Sequence, residues 1–375
     1  MHDTGNVIFS GIGVVLVLLP LPLHWRARNS GTLLLITWLL IGNLVTFIDG
    51  IVWWDNYNNP APVWCDIVSK IFVGLPVGIS ASSLCITRRL AMIASSTAVT
   101  ISQRRMRIAL AIDLFLGIAL PLIIMALHYV VQAHRFDILE GYGCSPVTWP
   151  GVPGVFAVQI WAPLLSVIAS VYGVIAIKFF LSRRLQFESV LRSSRNGLDS
   201  RHYLRLVAIA SVDILVGLPL TTFTLVDYIT RSKPYVSWHW LHLGWSRVDH
   251  YAASAYLSSP SQTVVIVLPR WFPPLLALHF FIFFGVSVDA ITEYIRWFGW
   301  AKSRLPFGLS KPADRLPFAA PKLGSTVAQP SSVTWREPSI TANADPDPSY
   351  NETSGPDHVR SGGVIVSVSV ERQVV

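Results

Sequence analysis

Three cysteines, a few carboxylates set inside apolar runs and a series of prolines are the residues of this 375-residue chain whose types and spacing invite chemistry. Cys65 and Cys144 would form a disulfide tying a loop over a helix bundle if both face an oxidising compartment. Two free thiols are the alternative, because a sequence supplies no Cα separation. Cys85, inside an apolar run, reads as a small packing residue. Asp66 and Lys70, four apart on one run, are placed to pair on one helix face. Asp113, Asp213, Asp227, Asp289 and Glu293 fall within or at the ends of apolar runs, where ionisable groups turn inward and mark either function or a satisfied hydrogen bond. Pro219, in Gly217-Leu218-Pro219-Leu220, removes a helical hydrogen bond in mid-run and is expected to act as a hinge, with a static kink as the alternative. No catalytic constellation assembles: HExxH, GxSxG and a Gly-rich phosphate loop are all missing from the sequence. His239 and His242 lack a carboxylate or Cys partner, and the last apolar run has no lysine for a retinal Schiff base, so no metal or cofactor is expected.

The elements that must hold these residues are membrane helices. Hydrophobic residues make up 52% of the chain and charged ones 13%, against about a quarter charged in soluble domains. Mean hydropathy is +0.51. The apolar residues gather into runs of about twenty, the length that crosses about 30 Å of hydrocarbon at 1.5 Å per residue. A backbone in that solvent must satisfy its own hydrogen bonds, so each run is a helix. The expected fold is an all-α membrane protein, a bundle of seven transmembrane helices over residues 1–300, followed by a disordered tail over 301–375. The helices are expected at about 6–23, 32–53, 65–92, 108–131, 155–181, 204–228 and 272–296. The first run lacks a basic leader and a cleavage site and reads as a retained helix. Residues 236–257 carry three histidines, Arg247 and Asp249, too costly for a span. They are expected as a long loop whose Trp238, Trp240 and Trp245 lie in the membrane interface, with an extended stretch after it up to Pro269.

The net charge of +8 does not point to nucleic acid, because the bases lie in the turns between apolar runs. Arg26, Arg28, Arg88, Arg89, Arg104, Arg105, Arg107, Lys178, Arg183, Arg184, Arg192, Arg195, Arg201 and Arg205 fall on one side. Only Arg135, Arg231, Lys233, Arg247 and Arg270 fall on the other, fourteen against five. The positive-inside rule then puts the N-terminus outside and the tail in the cytosol. The tail, rich in Pro, Ser, Thr and Gly, buries too little apolar surface to offset its ordering entropy. A transporter or channel is the competing function class. It would show internal repeats or polar residues stacked through several helices, and the sequence shows neither.

The segments HWRARNSGTLLLITWLLIGNLVTFIDGIVWWDN and APVWCDIVSKIFVGLPVGISASSLCITRRLAMIAS, with GCSP, GLPL and RWFPPLLALHFFIFFGVSVDAITEYI further on, resemble the fungal lipopeptide mating-pheromone receptors. These are the a-factor type of class D G-protein-coupled receptors, and the Trp-rich outer loop is similar to the basidiomycete B mating-type branch. The resemblance covers about residues 6–300. It implies a plasma-membrane receptor that binds a farnesylated peptide pheromone and activates a heterotrimeric G protein and a MAP kinase mating response, with a possible homodimer. On this reading Trp53, Trp54, Trp64, Trp238 and Trp271 suit an aromatic entrance for a lipidated ligand, joined by Asp66, Lys70 and Asp227. Arg88, Arg89, Arg104, Arg105, Arg183, Arg184 and Arg201 face the G protein, although such arginines equally suit anionic membrane lipid. The chain has no DRY or NPxxY motif, so contacts known from rhodopsin-like receptors do not transfer.

Overall fold

Apolar runs that close their hydrogen bonds internally dominate the molecule. A computed structural model describes residues 3–95, 103–191 and 211–304. Six of its helices are long and apolar enough to cross a membrane, and a seventh, shorter apolar helix covers Ile214–Thr230. The first, α1, runs over Thr4–Arg26 and is broken between Leu18 and Leu21 by Pro20. It is followed by α2 (Ser30–Val52) and α3 (Pro62–Ser95). Next, α4 (Gln103–Val131) contains a π turn at Phe115–Ala119. The main body of α5 is Trp161–Leu191, and α6 is Leu218–Thr230 with a π turn, Asp213–Gly217, in front of it. The last two helices are α7 (Pro260–Phe284) and α8 (Val288–Arg304). The expected tail from 305 on, and the turn carrying Arg192, Arg195, Arg201 and Arg205, lie outside the described residues; 301–304, expected as tail, are the end of α8.

The last helices depart most from the sequence reading. The stretch expected to be extended is the first part of α7, and Pro269 lies inside that helix. Ile266 and Val267 pack against Leu139, Tyr142 and Tyr256, so tertiary burial overrides the β-branched preference. The expected span 272–296 is two helices, because the chain breaks at Gly285–Ser287 and restarts with the Ser287 hydroxyl accepting from the Ala290 amide at 3.0 Å.

Prolines inside the spans leave carbonyls without their usual i+4 donor, and side chains from neighbouring helices replace it. Pro121 orphans the Gly117 carbonyl, to which Trp38 Nε1 donates at 2.8 Å. Pro274 orphans the Arg270 carbonyl, which Asn6 Nδ2 reaches at 3.1 Å. These bonds tie α2 to α4 and α1 to α7.

The centre of the bundle is α3. Its most apolar window is 72% buried, against 28% for those of α1, α4 and α7. One core joins Val17, Leu39, Ile79, Ala277 and Phe280 across α1, α2, α3 and α7. A second joins Val77, Ala81, Ile124, Leu165 and Ala169 across α3, α4 and α5. At Gly78 a Cβ would sit 2.2 Å from the Trp38 ring, so only glycine lets α2 and α3 approach there.

Candidate functional site

At the outer end, the turn between α4 and α5 folds into strands β1 (Phe136–Leu139) and β2 (Gly143–Ser145), paired antiparallel. The turn between α6 and α7 adds β3 (Val248–Tyr251), parallel to β1. The hairpin turn is Gly141-Tyr142-Gly143, with φ of +84° and +69° at the two glycines. A Cβ at Gly143 would also press to 2.8 Å from Asp49 and Trp53. This small sheet lies as a lid on the bundle, with Phe136, Ile138 and Cys144 buried on one face among Trp53, Cys65 and Val68, and Leu139 buried on the other with Tyr142 and Tyr256.

Every neighbouring helix pins the lid. Cys144 is joined to Cys65 of α3 by a disulfide. Arg270 of α7 is 6% exposed and donates to the carbonyls of Tyr142 at 3.2 Å and Cys144 at 2.8 Å, with its guanidinium 3.8 Å from the centre of the Phe72 ring. Gly141 donates its amide to the Trp53 carbonyl at 2.7 Å. Asp3, just ahead of α1, accepts from Tyr142 Oη at 2.7 Å and Trp271 Nε1 at 2.8 Å. Tyr256 Oη donates to the Glu140 carbonyl at 2.5 Å. Burial, reinforced by Asp3, pushes the Tyr142 phenol above its usual range, and burial raises that of Tyr256 to about 12, so both remain donors at physiological pH. Beneath them Asp49 is fully buried, accepting from Trp64 Nε1 at 2.7 Å. Arg270 supplies the countercharge.

The sequence had placed Arg270 in an outer loop; it is an interior strut of α7. Trp53 is 0% exposed, its indole donating to the Asn58 carbonyl at 2.8 Å, so it packs beneath the lid and lines no open entrance. Trp54 and Trp271 are half-buried.

A polar chain lies beside the lid between α3 and α4. Asp66 and Lys70 do not pair as expected. Asp66 takes a bidentate bond from Arg135 at 2.8 and 2.5 Å, which also raises the Arg135 pKa. Lys70 instead bonds His128 Nδ1 at 2.9 Å and Gln132 Oε1 at 2.7 Å. An ammonium only donates, so His128 keeps its proton on Nε2 and offers it to Thr148 Oγ1 at 3.0 Å. Asp227 is tied to Arg231 one turn away at 2.9 Å. Trp238 stacks on His242 with ring centres 3.9 Å apart, and both lean on Tyr129 at the outer end of α4, so this aromatic loop sits beside the bundle mouth. His134, Asp137 and Asp249 form the one group among the described residues spaced to hold a metal ion. His134 Nε2 is already bonded to Asp137 Oδ1 at 2.7 Å, and the Arg247 guanidinium takes Asp249 Oδ1 at 3.0 Å and His134 Nδ1 at 3.3 Å, so the three groups have partners within the protein.

At the inner end, Arg88 of α3 turns toward its neighbours. Its guanidinium bonds Asp113 Oδ1 of α4 at 2.7 Å, while Ser30 Oγ at the start of α2 donates to Asp113 Oδ2 at 2.5 Å. Three helices thus meet on one carboxylate, with Arg88 and Asp113 side chains 15% and 5% exposed. Arg89 reaches the Arg28 carbonyl at 3.3 Å. Arg104 and Arg105 are exposed at the start of α4. Arg183 and Arg184 lie on the far end of α5, and Arg201 falls outside the described residues. Pro219 is the second residue of α6, directly after the π turn. Gly217 from that turn lines a small apolar cavity of about 30 Å³, together with Leu35, Ile79, Ser83, Phe272 and His279.

A family model described as Pheromone A receptor matches residues 6–304. The chain is 40% identical over 296 residues to the Pheromone B alpha 3 receptor of Schizophyllum commune, covering 78% of this chain and 47% of that protein. It is 33% identical to Pheromone receptor 1 of Ustilago hordei, covering 78% and 82% of the two chains. It is 24% identical to the Pheromone a factor receptor of Saccharomyces cerevisiae, covering 76% and 60%. The chain spans about half the length of the Schizophyllum relatives it matches.

Proposed function

Because this chain belongs to the Pheromone A receptor family of seven-helix receptors, we propose that it binds a farnesylated peptide pheromone at its outer end and activates a heterotrimeric G protein at its inner end. It would do so in the plasma membrane, with the N-terminus outside and the tail in the cytosol. The observation that carries this reading is the lid. It is fixed to α1, α2, α3 and α7 together, so a ligand that shifts it acts on four helices at once. The half-buried Lys70 and the Asp66–Arg135 pair beside it offer charge and hydrogen bonds to the peptide. Trp54, Trp238 and Trp271 offer aromatic surface to its lipid.

Signalling then follows from a population shift. The ligand favours an arrangement in which the inner ends of α5 and α6 stand open, and the G protein favours that same arrangement. Pro219, after a π turn and beside the small cavity, is the proposed hinge. Arg88 acts in this scheme by bracing α3 against α4 and α2, while Arg89, Arg104, Arg105, Arg183, Arg184 and Arg201 supply the basic face.

The test is a mating strain lacking its own receptor, made to express this chain and challenged with matched farnesylated and unmodified peptides. A pathway response confined to one or a few farnesylated peptides is expected. Equal responses to the unmodified forms would remove the lipid from the proposal, and silence across a broad panel despite surface expression would remove the receptor role.

A further inference from the structure

We propose that His242 is a positioning residue: as an imidazolium it clamps the aromatic loop 238–245 to the outer end of α4, with a hold that weakens as the medium at that end turns alkaline. The inference rests on the proposed function only in giving this loop a part in pheromone binding.

The two bonds of the ring carry the argument. His242 caps the short helical turn Trp238–Leu241. Its Nδ1 meets the Trp238 carbonyl at 2.9 Å, and its Nε2 meets the Tyr129 carbonyl of α4 at 3.0 Å. A carbonyl oxygen only accepts, so both ring nitrogens must donate, whereas a neutral imidazole has one N–H to give. Only the doubly protonated ring completes the pair. His128 is the opposite case: its Nδ1 accepts from Lys70, so one ring proton serves both of its bonds. The Tyr129 carbonyl also lies in the last turn of α4. The Ala133 amide that a longer helix would bring to it bonds the Val147 carbonyl instead, at 3.4 Å. A carbonyl left over at a helix C-terminus carries partial negative charge and favours a cation.

The faces of the ring agree with its edges. Trp238 stacks on it with centres 3.9 Å apart and planes 26° from parallel, a geometry in which a cation gains from the indole face. Tyr129 packs beside His242 and Trp238 at 5.4 and 5.8 Å and against Trp245 at 5.6 Å, so the loop gathers around one tyrosine of α4. Tyr129 is thus the titratable group of α4 that faces the ring, and His239 of the same turn is exposed. The charged side chains of the loop are engaged elsewhere: Arg231 with Asp227, Lys233 over the Trp149 ring, and Arg247 with Asp249 and His134. When the ring gives up one proton, one of the two carbonyls loses its donor and the stack loses its charge. The hold is therefore full in acid medium and fades with rising pH. Trp238 is one of the rings offered to the ligand's lipid, and the clamp sets where it stands.

The experiment uses the full chain in nanodiscs without ligand, with nitroxide labels on Leu243→Cys in the loop and Ile123→Cys on α4, both at exposed positions. Pulsed electron resonance is expected to give a narrow distance distribution at about pH 5 and a broad one at about pH 8, the range over which histidines change charge. His242→Arg keeps a cation that can donate to two carbonyls and stack on Trp238, and should stay narrow at both. His242→Gln should stay broad at both, and His242→Phe repeats that comparison if His242→Gln fails to accumulate. A distribution that does not change with pH while His242 is present would overturn the clamp, as would a narrow one at both values in His242→Gln. In cells, the potency of the farnesylated peptide that activates this chain should fall severalfold over the same rise in pH, and should stay level in His242→Arg. Parallel potency profiles in the two would overturn the positioning role. Should the chain be silent to every farnesylated peptide, the proposed function fails, and the ligand-free distances still decide the clamp.

Discussion

The two ends of this bundle are tied by different kinds of bond. At the outer end a disulfide, a buried Arg270 and the phenols of Tyr142 and Tyr256 hold the lid, and Trp271 shares the Asp3 carboxylate with Tyr142. At the inner end α2, α3 and α4 share one carboxylate, Asp113, through a single ion pair and one hydroxyl, with arginines exposed around it. The outer bonds are many and come from four helices, so the lid moves only together with those helices, whereas the inner contact rests on one ion pair and one hydroxyl and is the easier of the two to break by a single substitution.

Breaking the outer side of this contrast should cost most. Cys144→Ala releases a closed loop of 79 residues, which on the chain-entropy account is worth about 4.5 kcal/mol. Surface expression should collapse, as read by labelling of intact cells. Arg270→Met removes the bonds to the Tyr142 and Cys144 carbonyls, worth about 1.5–3 kcal/mol each, and leaves Asp49 buried without its countercharge. Arg270→Lys should rescue little, because an ammonium cannot span two carbonyls and stack on Phe72. Adding Asp49→Asn to Arg270→Met should recover part of the loss in thermal denaturation. If the double variant is no better than the single one, the charge pairing beneath the lid is wrong.

The inner side should respond in signalling more than in stability. Asp113→Asn removes the charge that holds Arg88, and with a coupling of about 1–3 kcal/mol, ligand-independent output should rise fivefold or more. A reporter of the mating pathway without added peptide reads this directly. Arg88→Ala should resemble it if Arg88 is a brace, and should abolish signalling if Arg88 is a contact for the G protein. The pH dependence sharpens the same contrast from outside. The Tyr256 phenol titrates near 12 in the folded lid and near 10 when unfolded. Its contribution is thus complete below about pH 10 and fades as the pH rises toward 12. The difference in melting temperature between this chain and Tyr256→Phe should therefore hold level from neutral pH to about 9 and shrink only above that.

The apolar runs and their order were legible because lipid imposes one length and one hydrogen-bonding solution on each, but the last span, α7, starts at Pro260, not at 272, and ends at Phe284. The strands of the lid were not legible: they are three and four residues long, β1 pairs with β3 across more than a hundred positions, and none carries an alternation long enough to see. Arg270 looked like a loop base because Pro269, Pro273 and Pro274 surround it. Those prolines sit inside a helix whose freed Arg270 carbonyl is met by Asn6, a partner 264 residues away. Asp49 carried no local signal at all, since its Trp64, Cys144 and Arg270 neighbours come from three other segments. Arg88 stood out in sequence as a base at an inner helix end, but its direction, toward Asp113, needed the packing of α3 on α4.

The smallest expected effect bears on the boundary between the two regimes. Asp66 and Arg135 pair at the outer rim with side chains 40% and 29% exposed, so their geometry is good but solvent screens it. Asp66→Asn should cost only about 0.2–1 kcal/mol of stability. Lys70 should be held where it is, because His128 and Gln132, not Asp66, are its hydrogen-bond partners. Pheromone potency then separates two roles for the pair. If Asp66→Asn lowers potency no more than Arg135→Gln does, and neither moves it beyond the stability change, the pair is rim scaffolding. A tenfold loss corresponds to about 1.4 kcal/mol of binding, more than the pair is worth to the fold, so a loss of that size would place Asp66 or Arg135 against the peptide itself.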